Sequence, residues 1–284
     1  MQIQELNIES NDIKIYAGCF QPNAVKGVVV LVHGFGEHSG RYMENVIPML
    51  MDTGLAVVVY DNFGHGKSGG KQGHCPSYEA LLQLLDKVIE KATSLFPQVP
   101  QFLYGHSMGG NLVLNYALRN TTNLKGIIAS SPYLRLAFQP PKWKMVFGKA
   151  MLNLWPSITL PAGLDPNGIS RILEEVEKYK SDPLIHDKVS PMFSFPIIDA
   201  GEWAIANATS LDIETLLVHG TADPIIDFKG TKEFHENSNT TTLKLIEGGY
   251  HELHHDICSQ ELLNVIQNWL REQLSVILRR ARGF

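Results

Sequence analysis

Gly105-His106-Ser107-Met108-Gly109 carries the spacing G-x-S-x-G. In that pattern a serine stands on a sharp turn between a strand and a helix, and the glycines let neighbouring backbone pass where a Cβ would otherwise stand. The flanks have the required character. The apolar stretch QFLY (101–104) precedes the pentapeptide and the helical pattern NLVLNYAL (111–118) follows it. A helix N-terminus beside the serine would also favour an anion there. The same pattern recurs at Gly66-Lys67-Ser68-Gly69-Gly70, but loop residues 61–65 separate it from the preceding strand and no helix starts at its serine. Gly66-Lys67-Ser68 also imitates the end of a phosphate-binding loop, yet the first glycine of that motif would fall on Asp61. Ser107 is the expected nucleophile.

A serine hydroxyl needs a base, and the base needs an orienting carboxylate. Behind an elbow of this kind the chain order is serine, acid, histidine, with the last two on loops just past strand ends. The stretch TLLV (215–218) leads to Asp223 through His219-Gly220-Thr221-Ala222, and LKLI (243–246) leads to His251 through Gly248-Gly249-Tyr250. Asp212 lies ahead of the strand and Asp227 on the following helix, so position favours Asp223. With 11 histidines in the chain, type alone decides nothing. His254 and His255 fall in or near the closing helix, where an exposed helical face and a substrate contact are both open readings. Asp223 could also cap a helix ahead of Pro224, a role compatible with catalysis. Attack on an ester creates an oxyanion that needs two donors. The amide of Met108 would be one, and the amide of Phe35, in the loop His33-Gly34-Phe35-Gly36 after an early strand, the other.

The elements that must position these groups alternate along the chain. Strand patterns at 27–32, 56–60, 101–104, 124–129, 215–218 and 242–246 are mostly apolar without alternation, as in parallel strands buried on both faces. Helical patterns lie at 41–52, 78–95, 108–120, 225–236 and about 256–278. This is the rhythm of an α/β fold with an open, mostly parallel, doubly wound sheet. Residues 2–20 read as an antiparallel hairpin on its edge, turning at 10–12. The rhythm breaks after Pro132 in a proline-, methionine- and aromatic-rich stretch with no convincing strand. The expected division is a core, 1–133 and 211–284, interrupted by a helical cap or lid, 134–210, over one face of the sheet; loops at the carboxyl ends of the strands are where such folds hold their sites.

Composition narrows the function classes. A net charge of −5 gives no general attraction to nucleic acid or anionic membranes. No apolar run reaches the roughly 18 residues of a membrane span, and the first ten residues lack a signal-peptide pattern. The 3 scattered cysteines fit neither a disulfide framework nor a zinc site, and a reducing cytoplasm is expected. Within 134–164, apolar residues interleave with Arg135, Lys142, Lys144 and Lys149 and no acid occurs. Such a segment either rests on a membrane interface or packs down over the site.

Four stretches together resemble the monoacylglycerol lipases: His33-Gly-x-Gly-Glu-His-Ser-Gly-Arg-Tyr42, Asp61-x-x-Gly-His-Gly-x-Ser68, Gly105-His-Ser-Met-Gly-Gly110 and Tyr250-His-x-Leu-His254. Tyr179-x-Ser-Asp-Pro-Leu184 in the cap corresponds too. The resemblance implies an α/β-hydrolase with a mobile amphipathic lid, no cofactor, and single-chain glycerol esters or closely similar lipids as substrates. It further implies that Glu37, Arg41, Tyr179 and His254 shape or contact the glycerol end, although Glu37 and Arg41 could equally form a buried ion pair. Phe35 is larger than the family's usual residue, and the middle of the cap diverges; both leave acyl preference open. Three rival readings remain: a lysophospholipase, a general carboxylesterase, and a non-catalytic receptor for a small ligand on the same fold.

Overall fold

The computed structural model describes residues 2–138 and 142–281. In chain order its elements are β1 (Gln4–Ser10), β2 (Ile13–Phe20), β3 (Gly27–Val32), α1 (Val46–Asp52), β4 (Leu55–Tyr60), α2 (Tyr78–Leu95), β5 (Gln101–His106), α3 (Met108–Arg119) and β6 (Gly126–Ser130). Then come α4 (Lys142–Leu154), β7 (Leu160–Pro161), α5 (Leu173–Ser181), β8 (Lys188–Val189), α6 (Pro191–Ala206), β9 (Thr215–Gly220), α7 (Phe228–Glu236), β10 (Thr241–Ile246) and α8 (Ser259–Ala281).

Eight strands form one sheet in the order β1-β2-β4-β3-β5-β6-β9-β10. The hairpin β1–β2 joins antiparallel to β4, and every later pairing is parallel. Asn11 and Asp12 turn the hairpin at φ 51° and 58°, a left-handed region that short polar side chains tolerate. Along β3 the two-residue period divides a continuous apolar run between two cores. Val28, Val30 and Val32 face α2, α3 and α6, while Val29 and Leu31 face α1 and α8. The helices cover both sides for that reason. Each fully buried aliphatic side chain stabilises this sandwich by roughly 1.5–3 kcal/mol.

Some boundaries depart from the sequence patterns for local reasons. The expected helix at 41–52 is a 3-10 turn, Ser39–Tyr42, followed by α1, because Asn45 caps α1 separately. The expected 225–236 helix starts at Phe228, since Ile225 and Ile226 give their amides to Asp223 and Ile226 bridges to Leu136. The closing helix starts at Ser259, after a separate 3-10 turn at Leu253–His255. Within the expected cap, β7 pairs with β8, a strand pair the proline-rich sequence hides.

Residues 134–210 hold α4, β7, α5, β8 and α6. Their attachments differ. α6 shares the core of α2 and α3, where Asn111 and Asn115 donate to the Ile197 and Ala200 carbonyls. The segment around α5 is tied down by Arg171 to Asp256, His38 to Asp182, and the His186 amide to the Gly36 carbonyl. α4 rests on α6, with Gly148 close against the Phe195 ring.

Candidate active site

Ser107 follows β5 directly and sits at φ 53°, ψ −114°. Strain of this kind costs on the order of 1–3 kcal/mol and persists only where surrounding structure enforces it. Here the glycines enforce it. A Cβ on Gly105 would stand 2.3 Å from the Gly109 carbonyl oxygen, and one on Gly109 would stand 2.1 Å from that of Val32. The elbow therefore presses against β3 and aims the serine past the strand ends. The look-alike Ser68 has a different employment: its hydroxyl donates to the Asp61 carbonyl at 2.6 Å and accepts the Tyr16 amide. Asp61 organises that whole loop, accepting from the Lys67 amide and from Ser39.

Ser107 Oγ lies 2.9 Å from His251 Nε2, and His251 Nδ1 lies 2.7 Å from Asp223 Oδ2. The three residues are 6–7% exposed, so this line of groups is shielded from bulk water. The Ser131 hydroxyl donates to the His251 carbonyl at 2.9 Å and holds its loop. Burial alone would lower the imidazole's pKa, but the Asp223 carboxylate outweighs it and the net shift is upward. Burial would likewise raise Asp223, and His251 with His219 holds the carboxylate well below its usual range. The rivals lie elsewhere. Asp227 caps α7 through the Lys229 amide, and Asp212 is exposed. Asp223 itself accepts the Ile225 and Ile226 amides in a turn, so the cap reading for it gives way to Asp227.

The loop after β3 approaches the serine closely: a Cβ on Gly34 would stand 3.3 Å from Ser107 Cβ. The Gly34 amide donates to Glu37 Oε1 at 2.6 Å, which also accepts the Tyr42 hydroxyl. The next amide in the loop is that of Phe35. The Phe35 ring packs on Phe193, His65 and His186 and forms part of a cavity wall. Met108, fully buried, opens α3 on the other side of the serine.

Ser107 lies in the wall of a cavity of about 680 Å³ whose lining is drawn largely from residues 133–198. Its lining includes the apolar side chains of Leu136, Phe138, Met145, Phe195 and Ile226. The lining also includes the phenol of Tyr179 and the carboxyl groups of Glu37, Asp182, Asp187 and Glu252. Lys180 also lines the cavity, but its ammonium is bonded to Glu177.

Of the four residues assigned to a glycerol end, Glu37 and Tyr179 reach the cavity. Arg41 stands behind the wall, bonded to Glu37 at 3.1 Å and to Glu252, with its guanidinium 4.9 Å above the Tyr179 ring. Burial would lower its pKa, yet the two carboxylates raise it, and Glu252 is held well below its usual value. Both open readings of Glu37 and Arg41 thus meet in one cluster: the pair is buried, and its carboxylate member faces the cavity. His254 does not reach the cavity. It is stacked on Tyr42 at 4.7 Å and 1% exposed, because the 3-10 turn directs it inward. His255 is buried as well, its Nε2 bonded to the Arg41 carbonyl. Neither lies on an exposed helical face. Glu252, His254 and His255 bring potential metal ligands within 4.8 Å of one another, but the Arg41 guanidinium stands 2.9 Å from His255 Nδ1 and supplies the positive charge there.

Sequence reasoning passed over Glu252 and His219. Glu252 adjoins His251, and adjacency to the proposed base was its one signal in a loop crowded with Glu247, His254, His255 and Asp256. His219 had the signal of a polar residue at a buried strand end four positions before the acid.

Residues 23–257 match the family described as serine aminopeptidase, S33. Rat monoglyceride lipase is 32% identical over 257 residues, covering 88% of this chain and 84% of that protein. The monoacylglycerol lipase of Mycolicibacterium smegmatis is 30% identical, with coverage of 88% and 89%. An uncharacterized abhydrolase domain-containing protein of Dictyostelium discoideum is 36% identical, but the chain spans only 26% of that protein's length. Among solved structures, Paleococcus ferrophilus monoacylglycerol lipase superposes with a TM-score of 0.84 at 35% identity, covering 91% of this chain and 99% of that one. With this fold, the chain belongs to the serine aminopeptidase S33 family of α/β-hydrolases and, within it, to the monoglyceride lipase group.

Proposed function

We propose that the chain hydrolyses monoacylglycerols to fatty acid and glycerol through an acyl-enzyme on Ser107. The observation that carries this reading is the continuous line Ser107–His251–Asp223 in the wall of a cavity lined by both apolar and polar side chains. His251 takes the Ser107 proton as the hydroxyl attacks the ester carbonyl, and Asp223 stabilises the imidazolium that forms. The amides of Phe35 and Met108 hold the oxyanion; the Gly34 amide is already committed to Glu37, which supports Phe35 as the donor from that loop. His251 then protonates the departing glycerol, and water activated by the same imidazole releases the fatty acid. The acyl chain occupies the region of Leu136, Phe195 and Ile226. Glu37 and Tyr179 meet the glycerol hydroxyls, while Arg41 and His254 hold that wall from behind.

The alternative substrates of a lysophospholipase would set a phosphate beside Glu37, Glu252 and Asp187, where like charges repel it. That favours an uncharged leaving group. A hydrolysis panel of monoacylglycerols, diacylglycerols and lysophospholipids, run beside Ser107→Ala, tests the assignment. Monoacylglycerols are expected to be cleaved fastest and the variant to be inactive; equal rates on lysophosphatidylcholine would overturn the choice of substrate.

Among the described residues no helix is long and apolar enough to cross a membrane. We place the enzyme in the cytoplasm, a reading supported by its three free thiols, Cys19, Cys75 and Cys258. Peripheral contact with lipid would run through the cap. The side chains of Lys142 and Lys144 lie outside the described residues, so the support comes from Val146, Phe147, Leu154 and Trp155, each more than half exposed on or just after α4. We assign 134–210 as the cap, with α6 as its anchor on the core.

A further inference from the structure

His219 stands at the end of β9 with no exposed surface, and its Nε2 lies 3.1 Å from Asp223 Oδ2. This is the oxygen that His251 Nδ1 reaches at 2.7 Å. An ionised carboxylate only accepts, so His219 Nε2 must carry a proton. Its other nitrogen, Nδ1, lies 2.7 Å from the hydroxyl of Thr231, a fully buried residue of α7, and that hydroxyl can donate to it. The Ile225 and Ile226 amides occupy Asp223 Oδ1 at 2.8 and 3.0 Å. Four donors from three parts of the chain therefore hold one carboxylate, two on each oxygen.

We propose that His219 is a positioning residue for the hydrolytic reaction, and that Thr231 fixes the tautomer in which it acts. The proposal rests on the reading of Ser107, His251 and Asp223 given above. His219 does two things to Asp223. It prevents the carboxylate from rotating away from His251, because rotation would strand a buried N–H. It also shares the charge on Oδ2, so that His251 does not receive the whole attraction of that oxygen. A base held too tightly as imidazolium is a poor base at neutral pH. The other groups acting on His251 are Glu252 and Glu37 from the cavity lining and the ring of His106, 5.0 Å away, and none of them touches Asp223 Oδ2. A space-filling side chain in place of His219 would preserve the packing and lose both effects.

Two substitutions separate positioning from packing. His219→Met keeps bulk and removes the donor, whereas His219→Gln carries an N–H close to where Nε2 stood. His219→Met is expected to lower kcat by about 10–100-fold, a range borrowed from the loss of hydrogen-bond partners behind metal-ligating histidines. KM should stay within about twofold, since the residue lies outside the cavity. The acid limb of the pH profile of kcat/KM should move to higher pH, because Asp223 then acts on His251 alone. His219→Gln should restore most of kcat and return the limb toward wild type. Thr231→Val, which leaves His219 in place, should shift kcat and the limb in the same direction by less. Equal behaviour of the Met and Gln variants in kcat and in the limb would overturn the proposal. If His219→Met fails to fold, an unchanged kcat and limb in Thr231→Val would do so instead. Asp223→Asn serves as the control for the underlying reading. Wild-type turnover in that variant would overturn the assignment of Asp223 itself, whereas loss there with a silent His219→Met would remove only the role of His219.

Discussion

Arg41 bonds to Glu252 across 211 positions of sequence, tying the loop after β3 to the loop that carries His251. Both partners are buried, and Glu37 takes a second hydrogen bond from the same guanidinium. Removing the cation would leave two carboxylates facing each other without compensation. Breaking a buried pair in this way costs about 3–5 kcal/mol. Arg41→Met is therefore expected to lower the melting temperature by roughly 10 °C for a chain of this size. Thermal unfolding checks it, and a Tm within two or three degrees of wild type would show the pair to be dispensable. The double variant Arg41→Met, Glu252→Gln should recover part of the loss, since it removes one of the stranded charges.

The upward shift of His251 sets the pH dependence of turnover. Only the unprotonated imidazole accepts the Ser107 proton, so kcat/KM falls as pH drops through a folded-state value above the ordinary 6.5. Stability follows a different course. The raised pKa of His251 contributes stability that is complete below 6.5 and is lost as pH rises through the folded value. The depressed pKa of Asp223 contributes above its ordinary 3.8 and is lost as pH falls toward the folded value. The two contributions overlap between those ordinary values, where the pair stabilises most, while activity lies on the alkaline side. In Asp223→Asn the acid limb should move to lower pH and the overlap should vanish. Parallel pH profiles of rate and Tm for both proteins test this, and an unmoved limb would sever His251 from Asp223.

Much of this site is legible in the sequence because its geometry is written into strand ends. Gly105 and Gly109 announce the elbow, since no other residue fits against the Gly109 and Val32 carbonyls. Asp223 and His251 follow strands whose apolar runs are unmistakable. What stays hidden depends on side-chain direction. His254 and His255 look like residues of a closing helix, and only the 3-10 turn at Leu253–His255 turns both inward. His219 resembles a strand terminus until β9 and α7 bring Thr231 and Asp223 around it. The pairing of β7 with β8 is hidden for a related reason, because two residues each are too short to carry a period.

Gly34 offers a test of the proposed oxyanion loop that leaves the side chains of Ser107, His251 and Asp223 untouched. Its missing Cβ would lie 2.8 Å from Glu37 Oε1 and 3.3 Å from Ser107 Cβ. Alanine there must push the loop away from the serine or break the bond that pins it. Either displacement misaligns the Phe35 amide, and loss of one such donor lowers kcat by about 10²–10³-fold. Gly34→Ala is expected to fall in that range with KM little changed. Near-normal kcat in a folded variant would move the oxyanion donors elsewhere.

The cap presents its apolar side chains to solvent in a way that a purely core-covering helix does not require. Val146, Phe147, Leu154 and Trp155 are 71%, 55%, 75% and 64% exposed, whereas Leu136 and Met145 already supply apolar lining to the cavity. Two roles are thus carried by different side chains, and they can be separated. Phe147→Ser with Trp155→Ser removes outward apolar area and spares the cavity wall. On a short-chain soluble ester the double variant should match wild type in kcat and KM. On monoacylglycerol presented in vesicles its apparent KM should rise severalfold, because partial burial of the two side chains at an interface contributes about 1 kcal/mol in all. Co-sedimentation with neutral and anionic vesicles supplies the second readout. Equal sedimentation and equal vesicle activity of the two proteins would assign these side chains to another partner. A matching loss on the soluble ester would instead mean that the cap's outer face shapes the cavity after all.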